Sequence, residues 1–264
     1  SSGAIPMTTC CREERFMNEF SRTGLLIGEE GQNQLSVSTI AVFGVGGVGS
    51  HCIEALARCG VGRLILIDND TVSLTNINRQ SIAYHSTVGQ YKTQVMKKRI
   101  LDINPQAQIL TYETFVLPDN LSPLLDSIPC LPGADRPIDY IIDAIDTVTA
   151  KLAIVQYAKD HEIPLISSMG TGNKLHGELF EITDITKTSV CPLCRVMRRE
   201  LKKRGIAHLK VLYSKEEPLT PVMELEEAGN RRSVPGSISF VPPVAGLLIA
   251  GEAIRDLLKD HLYS

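Results

Sequence analysis

Short apolar segments alternate with amphipathic ones along the chain up to Ser168. Apolar segments rich in β-branched residues predict buried strands, and apolar residues at helical spacing predict helices between them. The predicted strands lie at residues 39–43, 63–67, 108–112, 140–142 and 164–168, and the predicted helices at residues 13–20, 49–59, 90–103, 121–127 and 149–161. This alternation is typical of an α/β fold with a Rossmann-like, doubly wound and mostly parallel sheet.

The pattern changes after Ser168, and residues 21–24 form a predicted break after the first helix. We expect a single domain over residues 1–264, in which residues 22–168 form the core. Residues 169–264 are expected to extend the sheet with an antiparallel strand. The elements predicted there are an edge strand at 178–183, a basic helix at 195–204, a polar, mobile loop at 211–230 and an apolar helix at 242–258.

Length and composition narrow the classes of function. A chain of 264 residues can bury a full core. Its net charge of -3 gives no general attraction to nucleic acid or to a membrane surface, so such binding needs a local patch. Seven cysteines, an odd number, do not resemble a disulfide framework, and no signal-peptide pattern opens the chain, which favours the cytoplasm. No apolar run reaches membrane-spanning length, so no membrane partner is expected.

The glycine-rich turn after the first predicted strand carries the clearest motif. Gly44, Gly46 and Gly49 give the pattern G-x-G-x-x-G between a strand and a helix. In that context Gly44 allows a tight turn, Gly46 lets the backbone approach a phosphate, and Gly49 lets helix and strand pack closely. The next strand ends at Asp68, where an acid that binds ribose is expected. These features predict a nucleotide site in the core without deciding which nucleotide binds.

Polar side chains lie near this turn. Asn76, Arg79 and Gln80 share one face of a predicted helical turn just beyond the end of a parallel strand. Lys92 lies in the first turn of a predicted helix, where a cation opposes the helix dipole. That unfavourable placement indicates an anion close to Lys92.

Asp143 and Asp146 follow another buried strand. They are either helix-cap and turn residues or oxygen ligands of a divalent cation. A dinucleotide is held mainly by backbone amides and the helix dipole, and it needs few cations. Arg79, Lys92 and a carboxylate-bound magnesium ion instead match a triphosphate, because phosphorus displacement is catalysed mainly by positioning and charge neutralisation. The residues therefore favour ATP and nucleotidyl transfer over hydride transfer.

Four stretches of the core resemble the adenylating domain of the ubiquitin-activating superfamily, which includes bacterial enzymes that activate sulfur-carrier proteins. They are residues 44–50 (GVGGVGS), 66–80 (LIDNDTVSLTNINRQ), 89–92 (GQYK) and 143–146 (DAID). The resemblance implies a homodimer with a shared active site, into which Arg22 of the neighbouring subunit reaches. It implies a catalytic set of Arg22, Arg79, Lys92 and Asp146, with Mg²⁺ on Asp146. The implied ATP-binding residues are Gly44, Gly46, Gly47, Gly49, Asp68, Asp70, Asn76, Arg79, Gln80 and Lys92.

The C-terminal half resembles one branch of that superfamily, the tRNA threonylcarbamoyladenosine dehydratases. The resemblance lies in residues 195–205 (RVMRRELKKRG), 211–215 (VLYSK) and 235–246 (PGSISFVPPVAG). It implies that the threonyl carboxylate of the modified adenosine is adenylated, and that the ureido nitrogen of the same side chain then closes a five-membered ring. Because this nucleophile is intramolecular, no enzyme cysteine is needed. The implied partner is tRNA bearing threonylcarbamoyladenosine.

The basic helix is the candidate tRNA surface. Most charge runs are solvated faces, but a local basic cluster on a chain of net negative charge favours contact with phosphates. The candidate tRNA-binding residues are Arg195, Arg198, Arg199, Lys202 and Lys203.

Two other functions are compatible with parts of the sequence. The first is an adenylyltransferase that activates the C-terminal glycine of a ubiquitin-like sulfur carrier, with a sulfur-relay protein as partner. Cys191 and Cys194 match the first half of the zinc site in such enzymes, but four ligands are needed and the chain has no second C-x-x-C. Two alternatives to zinc binding are open for this cysteine pair, namely a redox-active pair and an acceptor for the acyl group. The second is a nucleotide-binding RNA scaffold without catalysis, against which the full set of charged residues argues.

Overall fold

Seven strands form one sheet in the part of the chain that this computed structural model describes, residues 17–223 and 235–262. The strands are β1 (Thr39–Phe43), β2 (Arg63–Ile67), β3 (Gln108–Tyr112), β4 (Tyr140–Asp143), β5 (Leu165–Ser168), β6 (Phe180–Asp184) and β7 (Lys210–Ser214). They lie in the order β3-β2-β1-β4-β5-β7-β6, and every neighbouring pair is parallel except β6 with β7. The arrangement confirms the Rossmann-like, mostly parallel α/β fold and its antiparallel extension.

Helices cover both faces of this sheet. Within the described ranges they are α1 (Ser21–Val37), α2 (Gly49–Arg58), α3 (Lys92–Ile103), α4 (Pro118–Asp126), α5 (Val148–Asp160), α6 (Pro192–Lys203), α7 (Val241–Leu257) and α8 (Lys259–Leu262). Helices α2, α3 and α7 share an apolar core with one face, and α4 and α5 share a core with the other. All residues of β1, β2 and β4 are therefore buried, as is usual for parallel strands. None of these helices has the length and apolarity needed to cross a membrane.

The N-terminal prediction is wrong where the structure tests it. Residues 13–16 lie outside the described ranges, and residues 17–20 form a turn instead of the end of a helix. Residues 21–24, the predicted break, begin α1. This helix is kinked at Gly28, whose φ of 70° is one that glycine readily adopts, and it buries only Gly31 and Leu35. Because its apolar stripe is so weak, the sequence carries little periodic signal for it.

The predicted loop at residues 211–230 is also wrong in its first part. Residues 210–214 form β7, which lies between β5 and the edge strand β6. Val211, Leu212 and Tyr213 are buried there. Residues 224–230 fall outside the described ranges. The strand was missed because it is short and a polar, proline-containing segment follows it directly.

Candidate active site

A cavity of about 1140 Å³ opens at the carboxyl ends of the parallel strands. Its wall takes residues from the carboxyl ends of β1 to β5 and from the segments that follow these strands, among them Gly44, Asp68, Thr114, Asp146 and Ser168. The chain order in the sheet reverses between β1 and β4, so the cavity lies at the switch point where doubly wound sheets bind ligands. Its volume exceeds the upper end, about 1,000 Å³, of ordinary ligand pockets and leaves room for more than a nucleotide.

The glycine loop between β1 and α2 forms one wall of the cavity. Gly44 has a φ of 92°, and a Cβ there would lie 2.7 Å from the carbonyl oxygen of Ala144. A Cβ on Gly49 would lie 1.8 Å from the carbonyl oxygen of Gly44. At Gly46, by contrast, the nearest atom to such a Cβ is Gln80 Nε2, at 3.9 Å. The open space beside Gly46 belongs to the cavity, so a phosphate can approach the bare backbone there.

Asp68 joins the end of β2 to the glycine loop. Its Oδ2 accepts a hydrogen bond from the Val45 N–H at 2.7 Å, and its Oδ1 accepts one from the Asp70 N–H at 2.8 Å. Burial raises the pKa of Asp68 above its ordinary value, although the charge of Lys92 and both N–H groups act in the opposite direction. The half-buried carboxylate lines the cavity next to residues 114–116, which follow β3. This side has the polar and apolar surfaces that a nucleoside requires.

Lys92 is buried at the first position of α3. Its Nζ donates to Asp70 Oδ2 at 2.7 Å, and its backbone N–H donates to the Asp70 carbonyl oxygen at 3.1 Å. The anion that the sequence indicated near Lys92 is therefore Asp70. Since both side chains line the cavity, a phosphate bound there would compete with Asp70 for the ammonium group.

Asn76, Arg79 and Gln80 lie together on the cavity wall, on a turn whose N–H groups at 79 and 80 both donate to the Asn76 carbonyl oxygen. Arg79 donates to the carbonyl oxygen of Thr75 at 3.0 Å and to Asn78 Oδ1 at 2.8 Å, which fixes its guanidinium. Gln80 is buried, and its Oε1 has no hydrogen-bond partner within the described chain. Leaving such an atom unsatisfied costs about 1–3 kcal/mol, which favours a bound group at this wall.

The two acids after β4 have different surroundings. Asp146 is exposed and lines the cavity. Asp143 is fully buried, and its Oδ2 accepts hydrogen bonds from Lys151 Nζ at 3.0 Å and from Ser167 Oγ at 2.5 Å. A role for Asp143 as a cation ligand is therefore wrong, because its carboxylate is engaged inside the core. Of the two acids, Asp146 offers oxygen ligands to the cavity.

The cavity continues into a second compartment beyond β5, which the sequence did not predict. Residues 168–172, residues 235–237 and Leu193 line it. Asn173 and Gly236 hold the two segments together, because the Asn173 N–H donates to the Gly236 carbonyl oxygen at 2.8 Å and the Gly236 N–H donates to Asn173 Oδ1 at 2.6 Å. These lining residues carry no charge but include hydroxyl groups. They form a site suited to a polar, uncharged group beside the nucleotide side.

The ThiF family model matches residues 20–263. The chain belongs to the ThiF family. It is 43% identical over 254 residues to the tRNA threonylcarbamoyladenosine dehydratase of Bacillus subtilis (strain 168), which covers 93% of this chain and 96% of that one. The enzyme of the same name from Haemophilus influenzae is 37% identical over 197 residues, covering 75% of this chain and 72% of that one.

A solved structure extends the similarity of this ThiF-family chain to three dimensions. The crystal structure of Escherichia coli tRNA N6-threonylcarbamoyladenosine dehydratase in complex with ATP matches it with a TM-score of 0.80 and 31% identity. The match covers 92% of this chain and 94% of that chain. The described fold, including the antiparallel extension, is therefore the fold of that ThiF-family enzyme.

Arg22 does not line the cavity of the chain to which it belongs. It is exposed on the first turn of α1. The single chain thus brings Arg79, Lys92 and Asp146 together but leaves the fourth implied catalytic residue apart from them.

The basic residues of α6 do not share one exposed face. Arg198 is half-buried and donates to the carbonyl oxygens of Thr188 at 3.1 Å and Ile185 at 3.4 Å, so its inclusion in an exposed basic face is wrong. Glu200 lies 2.9 Å from Lys203 and 3.2 Å from Arg199, and these cations hold the pKa of Glu200 at about 2. The exposed cations of the candidate set are Arg195, Arg199, Lys202 and Lys203.

Sequence reasoning missed Lys151, which is fully buried in α5. Besides Asp143, its Nζ donates to the Ser168 carbonyl oxygen at 2.7 Å, and it lies 3.3 Å from Ser167 Oγ. The ion pair thus ties the end of β4 to the end of β5, below both sides of the cavity. One feature of the sequence could have indicated this pair: a lysine lies in a largely apolar helix that comes soon after an acid at the end of a buried strand. Lysine and aspartate are rarely fully buried unless they are paired.

Proposed function

We propose that this protein is an ATP-dependent tRNA threonylcarbamoyladenosine dehydratase. The observation that carries the proposal is the 43% identity to an enzyme of that name over 93% of the chain. The cavity agrees with this activity, because the nucleotide side at the glycine loop adjoins a compartment that is lined by hydroxyl and backbone groups and has room for a second group.

The reaction has two steps, which activate the threonyl carboxyl group and then use it to close a ring. First, a carboxylate oxygen of the threonyl group attacks the α-phosphorus of ATP, and pyrophosphate leaves. The ureido nitrogen of the same side chain then attacks the acyl carbon and loses its proton, and AMP leaves with the former carboxylate oxygen. The nucleoside loses the elements of water. Adenylation is required because a carboxylate is a poor acyl donor, and ring closure is fast because the nucleophile is intramolecular.

The cavity residues have separate proposed roles in the first step. The backbone of the glycine loop and the N-terminus of α2 bind phosphate oxygens, and Asp68 accepts hydrogen bonds from the ribose hydroxyls. Arg79 and Lys92 neutralise charge that develops on the phosphates, and Asp70 orients Lys92 through their ion pair. The remaining polar contacts are assigned to Asn76, Gln80, Gly46 and Gly47, which line the same wall.

Asp146 is the proposed ligand of Mg²⁺. Its exposed carboxylate faces the cavity, and magnesium prefers oxygen ligands from one or two carboxylates together with substrate phosphates. A bound magnesium ion would supply charge neutralisation for the triphosphate. Asp146 would hold that ion at the cavity wall, because it lies on the short segment that follows β4.

Mass analysis of nucleosides tests the activity. Transfer RNA bearing threonylcarbamoyladenosine is incubated with the protein, ATP and magnesium, and its nucleosides are then separated and weighed. The expected result is conversion of threonylcarbamoyladenosine to a product lighter by one water. An unchanged nucleoside, with ATP–pyrophosphate exchange that depends on a ubiquitin-like protein ending in glycine, would instead assign the chain to sulfur-carrier activation. A sulfur-relay protein would then be its partner.

A homodimer with a shared site is the proposed assembly, in which Arg22 reaches the partner subunit's cavity. Leu25 and Leu26 support it, since they follow Arg22 on α1 and are 84% and 83% exposed. Adjacent exposed apolar side chains of this size are typical of an interaction surface. The shared site would explain why Arg22 lies apart from the cavity of its own chain.

Subunit mixing tests the shared site. Arg22→Ala and Arg79→Ala proteins are each expected to be nearly inactive, and mixing them with verified subunit exchange should restore activity. In a mixed dimer one site receives both intact arginines, so activity should reach about half that of a wild-type dimer. Mixing Arg22→Ala with itself is the control. Continued inactivity of the mixed dimer would exclude a role for Arg22 in the partner's site.

The exposed cations of α6 are the proposed tRNA contact. Leu193, in the first turn of α6, lines the second compartment, so tRNA bound along this helix would lie next to the site of its modified nucleoside. Arg195 and Lys202 are the best choices for a test, because both are exposed and Arg198 is engaged with the preceding segment.

Reversing both charges, Arg195→Glu with Lys202→Glu, is expected to weaken tRNA binding. The log–log slope of affinity against salt should fall by about one for each phosphate that the variant no longer neutralises. Arg58→Glu with Lys98→Glu makes the same charge change at exposed positions on α2 and α3 and serves as the control. ATP affinity should stay unchanged in both. Equal tRNA affinity and salt slope in the two variants would make α6 an ordinary solvated face.

Two further expectations stay as proposals. Residues 1–264 are proposed to act as a single ATP-binding adenylating domain, which one sheet with strands from both halves supports. The cytoplasm is the proposed compartment, because an odd number of cysteines does not resemble the disulfide framework of proteins from oxidising compartments.

A further inference from the structure

Cys191 and Cys194 are neighbouring thiols that the proposed reaction does not use. Cys191 is the N-cap residue of α6, Cys194 lies in the first turn, and both are buried. The two side chains are three residues apart at the start of one helix, so they lie on the same side of it, and both pack in the same buried apolar cluster. The two thiols are therefore neighbours at the N-terminus of a twelve-residue helix.

The surroundings of the pair favour a thiolate on Cys191. The hydrogen bond from Cys194 lowers the pKa of Cys191 below its ordinary value, and the same bond together with burial raises the pKa of Cys194. Lys174 is buried close enough to interact electrostatically with both sulfurs, and Arg198 interacts with Cys194. A C-x-x-C pair with one thiolate and one thiol has the parts needed for dithiol chemistry, an attacking and a resolving sulfur.

Two other roles for the pair fit the structure less well. A structural zinc ion needs four ligands, and within the described ranges no group of three or more His, Cys, Asp or Glu side chains is placed to hold a metal. An acyl acceptor has to meet an adenylated nucleoside on a tRNA, but Cys191 is only 4% exposed. A small oxidant needs far less room than that substrate.

We propose that Cys191 and Cys194 form a redox-active dithiol that a hydroperoxide converts to an intramolecular disulfide. The Cys191 thiolate attacks the terminal oxygen of the hydroperoxide, the O–O bond breaks, and the hydroxide of hydrogen peroxide, or the alkoxide of an organic hydroperoxide, leaves, so that Cys191 becomes a sulfenic acid. The Cys194 sulfur then attacks the Cys191 sulfur, the S–S bond forms, and the sulfenic hydroxyl leaves as water with the Cys194 proton. The two sulfurs together lose the electron pair that the peroxide gains.

The pair lies directly behind the second compartment of the cavity. Leu193, which lies between the two cysteines in the sequence, lines that compartment together with Gly170, whose N–H helps to lower the pKa of Cys191. Disulfide formation removes the Cys191 thiolate, and with it a negative charge, from behind this wall. We therefore expect oxidation to slow ring formation and to leave ATP binding at the glycine loop unchanged. This consequence depends on the proposed function, whereas the disulfide itself does not.

Thiol counting and peptide mapping test the disulfide on the full chain. The protein is reduced, freed of reductant and treated with hydrogen peroxide at one equivalent per chain. The expected product has a peptide with Cys191 and Cys194 that is lighter by a pair of hydrogen atoms, and dithiothreitol reverses the change. Cys130→Ser is the matched control, because Cys130 is exposed and its replacement should leave the 191–194 disulfide yield unaltered.

Single variants separate the two roles. Cys194→Ser removes the resolving thiol, so dimedone should trap the sulfenic acid on Cys191, and Cys191→Ser should yield neither the adduct nor the disulfide. The wild-type measurement stands even where a variant folds poorly. Oxidation confined to Cys130, or no disulfide between residues 191 and 194, would overturn the proposal. Zinc retained by the purified, reduced protein would overturn it too, by assigning both thiols to a metal.

Discussion

Adenylation is expected to slow by about a hundredfold or more when alanine replaces Arg79 or Asp146, the scale on which one preorganised charge acts. Arg79 lies at the phosphate wall with its guanidinium fixed by Thr75 and Asn78. Asp146 is an exposed carboxylate that lines the same cavity. The rate is measured as pyrophosphate release that depends on modified tRNA, so it reports the first step and not ring closure.

Arg58→Ala is the matched control for this experiment. Arg58 is an exposed arginine at the end of α2, paired with Glu54 at 2.9 Å, and it does not line the cavity. Its replacement should leave the rate unchanged. The Asp146→Ala and Arg58→Ala variants should unfold close to the wild-type temperature, because exposed side chains contribute little to stability. Near-normal turnover of Asp146→Ala at low magnesium would remove Asp146 as the metal ligand, and near-normal turnover of Arg79→Ala would remove Arg79 from the phosphate contacts.

The parts of the site that could be predicted best from the sequence are those whose geometry depends on one short segment of the chain. The glycine loop follows directly from a strand, a turn and a helix, and the structure gives Gly44 and Gly49 the tight turn and the close packing that the pattern requires. Asp68 was placed by the end of the next strand. Such local relations do not depend on how distant segments pack.

The parts that sequence missed depend on contacts between distant segments. Asp143 looked equivalent to Asp146, and only the packing of α5 and β5 against β4 engages it with Lys151 and Ser167. Arg198 belongs to a basic run, but the preceding turn binds its guanidinium. The second compartment forms where residues 168–172 meet residues 235–237. Helical or strand spacing carries no information about which distant segment covers a given side chain.

The Lys151–Asp143 ion pair gives the largest expected effect on stability. Both side chains are fully buried, with Lys151 Nζ 3.0 Å from Asp143 Oδ2. Lys151→Met leaves the Asp143 carboxylate buried without its counterion, and breaking such a pair from one side costs about 3–5 kcal/mol. We therefore expect a decrease of that size in the free energy of unfolding, measured by urea denaturation. Lys159→Met is the control, because Lys159 is an exposed lysine on the same helix.

The double variant Lys151→Met with Asp143→Asn separates charge from packing. It removes both charges and keeps an oxygen at residue 143 that can accept from Ser167, so at least about 2 kcal/mol of the stability should return. Because the pair ties the strand that precedes Asp146 to the strand that ends at Ser168, the folded double variant should still adenylate more slowly than wild type. A double variant no more stable than Lys151→Met would show that the lysine acts through its packing and not through its charge.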